Sequence, residues 1–163
     1  MKKVDIFTDG ACSGNPGVGG WAAVLVFNGI KKEISGYDKQ TTNNRMEMFA
    51  VIMGLRALKE PCEVVVTTDS AYVADAFNKG WVESWQKNNW RNANKEEVKN
   101  IDLWRALLYE IKRHKVSFVR VKGHADNELN NRCDFLATTA ISEFLICRCG
   151  YREIPPCFPC GLD

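Results

Sequence analysis

Residues 63–68 read EVVVTT, a continuous β-branched run set between two stretches of helical spacing. A strand of this kind is apolar on both faces, so it belongs inside a sheet that helices cover. Upstream lies TTNNRMEMFAVIMGLRALKE, where Met46, Phe49, Ala50, Met53 and Ala57 recur at helical spacing, with Thr42 or Asn43 as N-cap and Pro61 as terminator. Downstream, SAYVADAFNKG reads as a short helix ending at Gly80, NIDLWRALLYEIKRH as a longer one, SFVRV as a strand and ELNNRCDFLATTAISEF as a last helix. Ahead of the first helix, VDIFTD, GWAAVLVF and KKEISGY are strand-like runs joined by brief turns, and connections that short favour antiparallel neighbours. Strands separated by helical crossovers lie parallel. The expected fold is therefore α/β: a mixed five-stranded sheet, three antiparallel strands followed by two parallel strands, flanked by helices.

A chain of 163 residues fits one compact domain. No apolar run approaches membrane-spanning length, and Met1-Lys2-Lys3 leads into strand-like sequence without the apolar core of a secretion signal, so the expectation is a soluble cytoplasmic protein. The net charge of +2 is too small to announce a polyanionic partner, which must be argued locally. Cys12, Cys62 and Cys133 are scattered and read as reduced packing residues, whereas Cys147, Cys149, Cys157 and Cys160 crowd the end of the chain.

VDIFTDG and VVVTTDS share a pattern: apolar strand, threonine, aspartate, small residue. If the two strands are parallel neighbours, Asp9 and Asp69 meet on one sheet edge, where open α/β sheets bind ligands. Adjacent carboxylates repel unless a cation or proton lies between them, and clustered oxygen ligands suit magnesium. Glu47, in the first turn or so of the long helix, and Asp134, at the boundary of the last helix's apolar face, are placed to join them. Alone, each acid has a plainer reading: a turn or cap for Asp69, a helix-dipole partner for Glu47, a surface acid for Asp134. The GNPGVGG that follows Asp9 reads as a turn, because WAAVLVF behind it is strand-like, whereas a phosphate cradle needs a helix there.

TDGACSGNPGVGG, TTNNRMEMFAVIMGL, TTDSAYV, VKNIDLW and VKGHADNELNNRCD, in this order, resemble bacterial type 1 ribonuclease H from about Lys3 to Ser142. The resemblance implies a ribonuclease H-like fold and an endonuclease that hydrolyses the RNA strand of RNA–DNA hybrids, leaving 3′-hydroxyl and 5′-phosphate ends. It maps the catalytic, metal-holding carboxylates onto Asp9, Glu47, Asp69 and Asp134. The implied cofactor is a pair of Mg2+ ions, with Mn2+ as a substitute, and the implied partner is the hybrid duplex, bound by a monomer. His124 is implied as a mobile proton carrier; its plainer reading is a loop histidine without a task. His114, in a run of cations at a helix end, reads as a solvated C-terminal charge.

By the same resemblance, Cys12, Gly14, Asn15, Asn43 and Asn44 contact the hybrid, and Thr42, Arg45 and Asn100 form a pocket for a DNA-strand phosphate. Turn residues and caps explain several of these positions equally well. GWVESWQKNNWRNANKEEVKN interleaves Trp81, Trp85 and Trp90 with Lys87 and Arg91, as a nucleic-acid handle does, or as a protrusion packed on its own domain does. Glu83, Glu96 and Glu97 dilute its charge, which predicts weaker or more salt-sensitive hybrid binding. Ala71 stands where related enzymes often carry a longer polar side chain. Residues 1–143 are thus read as a ribonuclease H catalytic domain and 144–163 as a Cys/Pro-rich C-terminal tail outside the resemblance. The four tail thiols can hold zinc tetrahedrally; reduced thiols or an adventitious disulfide are the alternatives. A different two-metal nuclease or polynucleotidyl transferase and a decayed hybrid-binding module are the rival functions.

Overall fold

The computed structural model describes residues 1–122 and 127–148, the side chains of the last two apart. Within them the chain runs β1 (Lys2–Ser13), β2 (Gly17–Phe27), β3 (Ile30–Thr41), α1 (Asn43–Arg56), β4 (Cys62–Thr68), α2 (Ala71–Asn78), α3 (Trp81–Lys87), α4 (Ile101–Ile111), β5 (Lys115–Arg120) and α5 (Glu128–Arg148). The five strands lie in the order β3-β2-β1-β4-β5. β1, β2 and β3 pair antiparallel, and β4 pairs parallel with both β1 and β5. This is the mixed sheet expected from the sequence.

Alternation along β1 divides the core. Ile6 faces one side, with Val64 and Val66 of β4, and packs under Met48, Val51, Ile52 and Leu55 of α1 and Trp104 and Leu107 of α4. Phe7 faces the other, where Ala22 and Val24 of β2 meet Cys133 and Ala137 of α5. Residues on successive positions of a strand point to opposite faces, so each side of the sheet receives its own helical layer. α5 comes very close: a Cβ on Gly20 would collide with the carbonyl oxygen of Ala137.

The structure departs from the sequence reading in three places. First, β1 does not stop at Asp9 but continues to Ser13, pairing with β2 throughout, and the turn is confined to Gly14, Asn15 and Pro16. Gly17, Gly19 and Gly20 are strand residues, packed where side chains would not fit. Second, Trp81–Lys87 forms a helix of its own, because Val82 is buried and Trp85 packs at a tilt against Trp104, with ring centroids 5.4 Å apart. Third, α1 is buried around most of its circumference, between the sheet and α4, so Glu47 lies inside the protein, not on a solvated first turn as a helix-dipole acid would.

Candidate active site

Asp9 sits where β1 parts from β4. The β1–β4 ladder ends at Phe7–Thr67, and beyond it the two strands have no further paired residues. Asp69 follows the last residue of β4, and the turn beneath it is made by its neighbours. Thr68 Oγ1 accepts from Ser70 N–H (3.1 Å), and Ser70 Oγ caps α2 by accepting from Val73 N–H (3.2 Å). Asp69 is therefore free of the capping task. In the same way Thr42 caps α1, accepting from Arg45 N–H at 3.3 Å, and α1 carries no acid in its first turn, so Glu47 is not a dipole partner.

Gly10 brings these elements together. A Cβ there would lie 2.5 Å from both the amide nitrogen of Glu47 and the carbonyl carbon of Met46, so only glycine lets α1 approach β1 this closely. The reward is local: Gly10 N–H donates to Asp9 Oδ1 at 2.9 Å and to Glu47 Oε1 at 3.1 Å. Asp9 and Glu47 are each only 4% exposed. One carboxylate oxygen from each of Asp9, Glu47 and Asp69 falls within a set whose members are all within 4.8 Å of one another. Asp134 lies outside that tight trio but faces the same cavity of about 490 Å³. Its charge is among those that act on Asp9.

The electrostatics are those of acids crowded without compensation. Burial pushes Asp9 up to about 6, and the charges of Asp69 and Asp134 add to this against the opposing hydrogen bonds from Glu47 and Gly10. Glu47 is raised well above the ordinary carboxylate range, first by burial and then by the charge of Asp9. Glu47 Oε2 is buried and has no hydrogen-bond partner. An orphaned buried carboxylate oxygen beside two more carboxylates costs free energy until a proton or cation meets it. The donors are all oxygen, the set that hard divalent ions take.

The RNase H family model matches residues 1–142. The chain belongs to the RNase H family. The ribonuclease H of Chlorobium phaeobacteroides (strain BS1) is 61% identical over 141 residues, which cover 86% of this chain and 97% of that one. Among solved structures, LC9-RNase H1, described as a type 1 RNase H with the type 2 active-site motif, superposes with a TM-score of 0.78 at 28% identity, covering 88% of this chain and 74% of the other. LC11-RNase H1, solved in complex with RNA/DNA hybrid, gives 0.67 at 25% identity, covering 87% and 99%. The chain is thus a ribonuclease H enzyme, and its acid-lined cavity is the candidate site of that activity.

Around this ribonuclease H cavity the remaining predicted residues fall into three groups. Cys12, Asn43 and Asn44 line it. Cys12 Sγ donates to the carbonyl oxygen of Gly14 (2.7 Å), and Asn15 Oδ1 accepts from Asn43 N–H (3.2 Å), which ties the β1–β2 turn to the start of α1. The second group differs from expectation. Arg45 Nη1 donates to Asn100 Oδ1 at 3.2 Å, but both arms of the guanidinium also hold Asp102, at 3.0 and 2.7 Å. The Thr42, Arg45 and Asn100 pocket therefore has an internal carboxylate at its arginine. In the third group, Trp85 and Trp90 pack against the core while Trp81 is 42% exposed under Lys79. Lys87 pairs with Glu83 (3.2 Å), and Arg91 donates to the carbonyl oxygen of Lys95 (3.1 Å). His124, the side chain of Cys147, and Cys149, Cys157 and Cys160 lie outside the described residues.

Sequence reasoning missed Tyr72 and Asn130. Tyr72 lines the cavity, and its hydroxyl accepts from Asn100 Nδ2 at 2.9 Å. His114 was misread: it is half-buried, its Nδ1 accepts from Cys62 N–H (3.1 Å), and burial, with the charge of Arg113, lowers its pKa. It is a neutral packing residue, not a solvated cation. Among the described residues, no helix is long and apolar enough to cross a membrane.

Proposed function

We propose that this ribonuclease H is an endonuclease that hydrolyses the RNA strand of RNA–DNA hybrids with two divalent ions, Mg2+ first, leaving 3′-hydroxyl and 5′-phosphate ends. The carrying observation is the convergence of Asp9 of β1, Glu47 of α1 and Asp69 just after β4, with Asp134 of α5 facing the same cavity. Divalent ions, when held there, would supply an activated water and charge to stabilise the departing 3′-oxygen. The chain's own contribution is to hold the ligands. Asp9, Glu47 and Asp69 would hold the ions, with Asp134 completing the set from the same cavity. His124 carries a proton to or from the reacting water or product, a task for which an imidazole is chemically suited.

The hybrid lies across the mouth of the cavity. Cys12, Gly14, Asn15, Asn43 and Asn44 approach the RNA from its minor groove, where the 2′-hydroxyl distinguishes it from DNA. Arg45, with Thr42 and Asn100, takes a phosphate of the DNA strand, and the segment from Trp81 to Arg91 contacts the duplex beyond it. Support for hybrid as substrate comes from the structural likeness to LC11-RNase H1, itself solved with RNA/DNA hybrid. Residues 1–143 act as the catalytic domain, in a monomer, with 144–163 as a tail. The test is incubation with labelled RNA–DNA hybrid, duplex RNA and duplex DNA, with and without Mg2+. Metal-dependent cleavage confined to the hybrid's RNA strand is expected; preferential cutting of duplex DNA overturns the reading.

A further inference from the structure

Asp9 and Asp69 lie just beyond the last paired residues of β1 and β4, where no backbone pairing joins the two segments, since the β1–β4 ladder stops at Phe7–Thr67. A side chain from the opposite layer lies between them. Asn130, in the first turn of α5, is only 3% exposed. Its backbone N–H is used by the cap of its own helix, donating to Asn127 Oδ1 at 3.1 Å. Its Nδ2 lies 3.4 Å from the carbonyl oxygen of Thr8 and 3.3 Å from the carbonyl oxygen of Thr67. A carboxamide nitrogen carries two hydrogens, so it can serve both carbonyls at once.

The sense of this amide is fixed by its partners. Both strand carbonyls only accept, so the reverse orientation would press Oδ1 against two oxygens. In the orientation present, Oδ1 is buried without a partner. A buried, unpaired carbonyl oxygen opposes folding, so stability alone does not account for an asparagine at this position. The two hydrogen bonds do. Thr8 is the residue before Asp9, and Thr67 lies two before Asp69. A tie at these carbonyls is transmitted to both carboxylates through one or two peptide units.

We propose that Asn130 is a positioning residue for the metal ligands: its carboxamide spans the gap where β1 and β4 part and thereby fixes the separation of Asp9 and Asp69. The inference rests on the reading of the acid cluster as a divalent-cation site. Asn130 is placed behind the ligands and touches neither substrate nor ion. Its removal acts on metal affinity through the strand ends, in the way that residues supporting a ligand set ordinarily act.

The experiment is calorimetric titration of the full-length, substrate-free protein with Mg2+ and Mn2+, alongside thermal melts, for the wild type, Asn130→Ala, Asp9→Asn and Phe144→Leu. Phe144, on α5 against Tyr37, serves as a stability control remote from the strand ends. Phe144→Leu is expected to lower the melting temperature and leave metal affinity unchanged, whereas Asn130→Ala weakens it by about tenfold or more. Equal affinity in the wild type and Asp9→Asn sinks the metal reading itself. Affinity that falls in Asp9→Asn but not in Asn130→Ala sinks this inference alone. Should Asn130→Ala fail to fold, the wild type decides by NMR: the Asn130 Nδ2 protons are expected to exchange slowly with water and to shift as Mg2+ is added. Rapid exchange, or no shift, overturns the positioning role.

Discussion

Asp9 and Glu47 share a single backbone donor, the N–H of Gly10, at 2.9 and 3.1 Å. One donor cannot compensate two buried carboxylates, and burial holds both above their ordinary range, Asp9 at about 6. In the metal-free protein the pair therefore binds more protons folded than unfolded. Its contribution to stability is full at low pH and is lost as pH rises through about 6. We predict that Asp9→Asn raises the melting temperature in chelator at pH 7.5, by an amount that shrinks toward pH 5. Calorimetric scans across that range check it; a pH-independent difference contradicts the assignment.

The same substitution separates stability from activity. At saturating Mg2+, Asp9→Asn is expected to lose nearly all hybrid cleavage while its circular dichroism spectrum matches that of the wild type. Turnover near the wild-type rate would remove Asp9 from the catalytic set.

Gly10→Ala is expected to fail for steric reasons. The added methyl meets the backbone of Met46 and Glu47 at 2.5 Å, and backbone cannot rotate away as a side-chain tip can. α1 must shift, carrying Glu47 with it. Overpacking of this kind costs about 1–3 kcal/mol, to be read by urea denaturation. Displacement of a ligand by about 1 Å can cost about 100-fold in kcat, to be read in the cleavage assay.

Asp102 competes for the guanidinium proposed to take a DNA phosphate. Asp102 is exposed and Arg45 only partly buried, so breaking the pair changes stability by about 1 kcal/mol at most. Asp102→Asn is expected to lower KM for the hybrid at low salt and to leave kcat unchanged. Measuring KM against ionic strength checks this, since each further phosphate neutralised by the protein steepens the salt dependence. A raised KM would mean that Asp102 instead holds Arg45 in its binding posture.

His114 gives a pH response of opposite sign. Its lowered pKa means that the fold binds fewer protons there than the unfolded chain does, so its stabilisation is present above the ordinary histidine range and is lost as pH falls below it. His114→Gln is expected to flatten the decline in melting temperature below about pH 6.5 in an Asp9→Asn background, where Asp9 itself no longer contributes and Glu47 is common to both proteins compared. An unchanged decline would place its cause elsewhere.

Much of the fold was legible because local patterns and tertiary demands agree. The β-branched run at 63–68 is a central strand, the Met46–Ala57 spacing is a buried helix, and the two Thr-Asp pairs do bring Asp9 and Asp69 together. What stayed hidden depends on partners remote in sequence. Glycines 17, 19 and 20 look like loop residues until the chain packed around them is in place. His114 looks solvated until the Cys62 amide is placed beside it. Arg45 looks available until Asp102, 57 residues away, occupies it. Asn130 carries no signal at all in a one-dimensional reading, because its meaning lies in two carbonyls, one 122 and the other 63 residues distant.

The divergence of β1 from β4 also has a consequence in time. Three of the acids belong to the first 69 residues, whereas Asn130 and Asp134 belong to α5, near the end of the catalytic sequence. During synthesis the chain emerges from its amino end, so Asp9, Glu47 and Asp69 are made long before α5, with Asn130 and Asp134, has left the ribosome. On the proposed assignment, a chain released short of α5 lacks both Asp134 and the Asn130 tie, so the full ligand set is assembled only as the fold is completed.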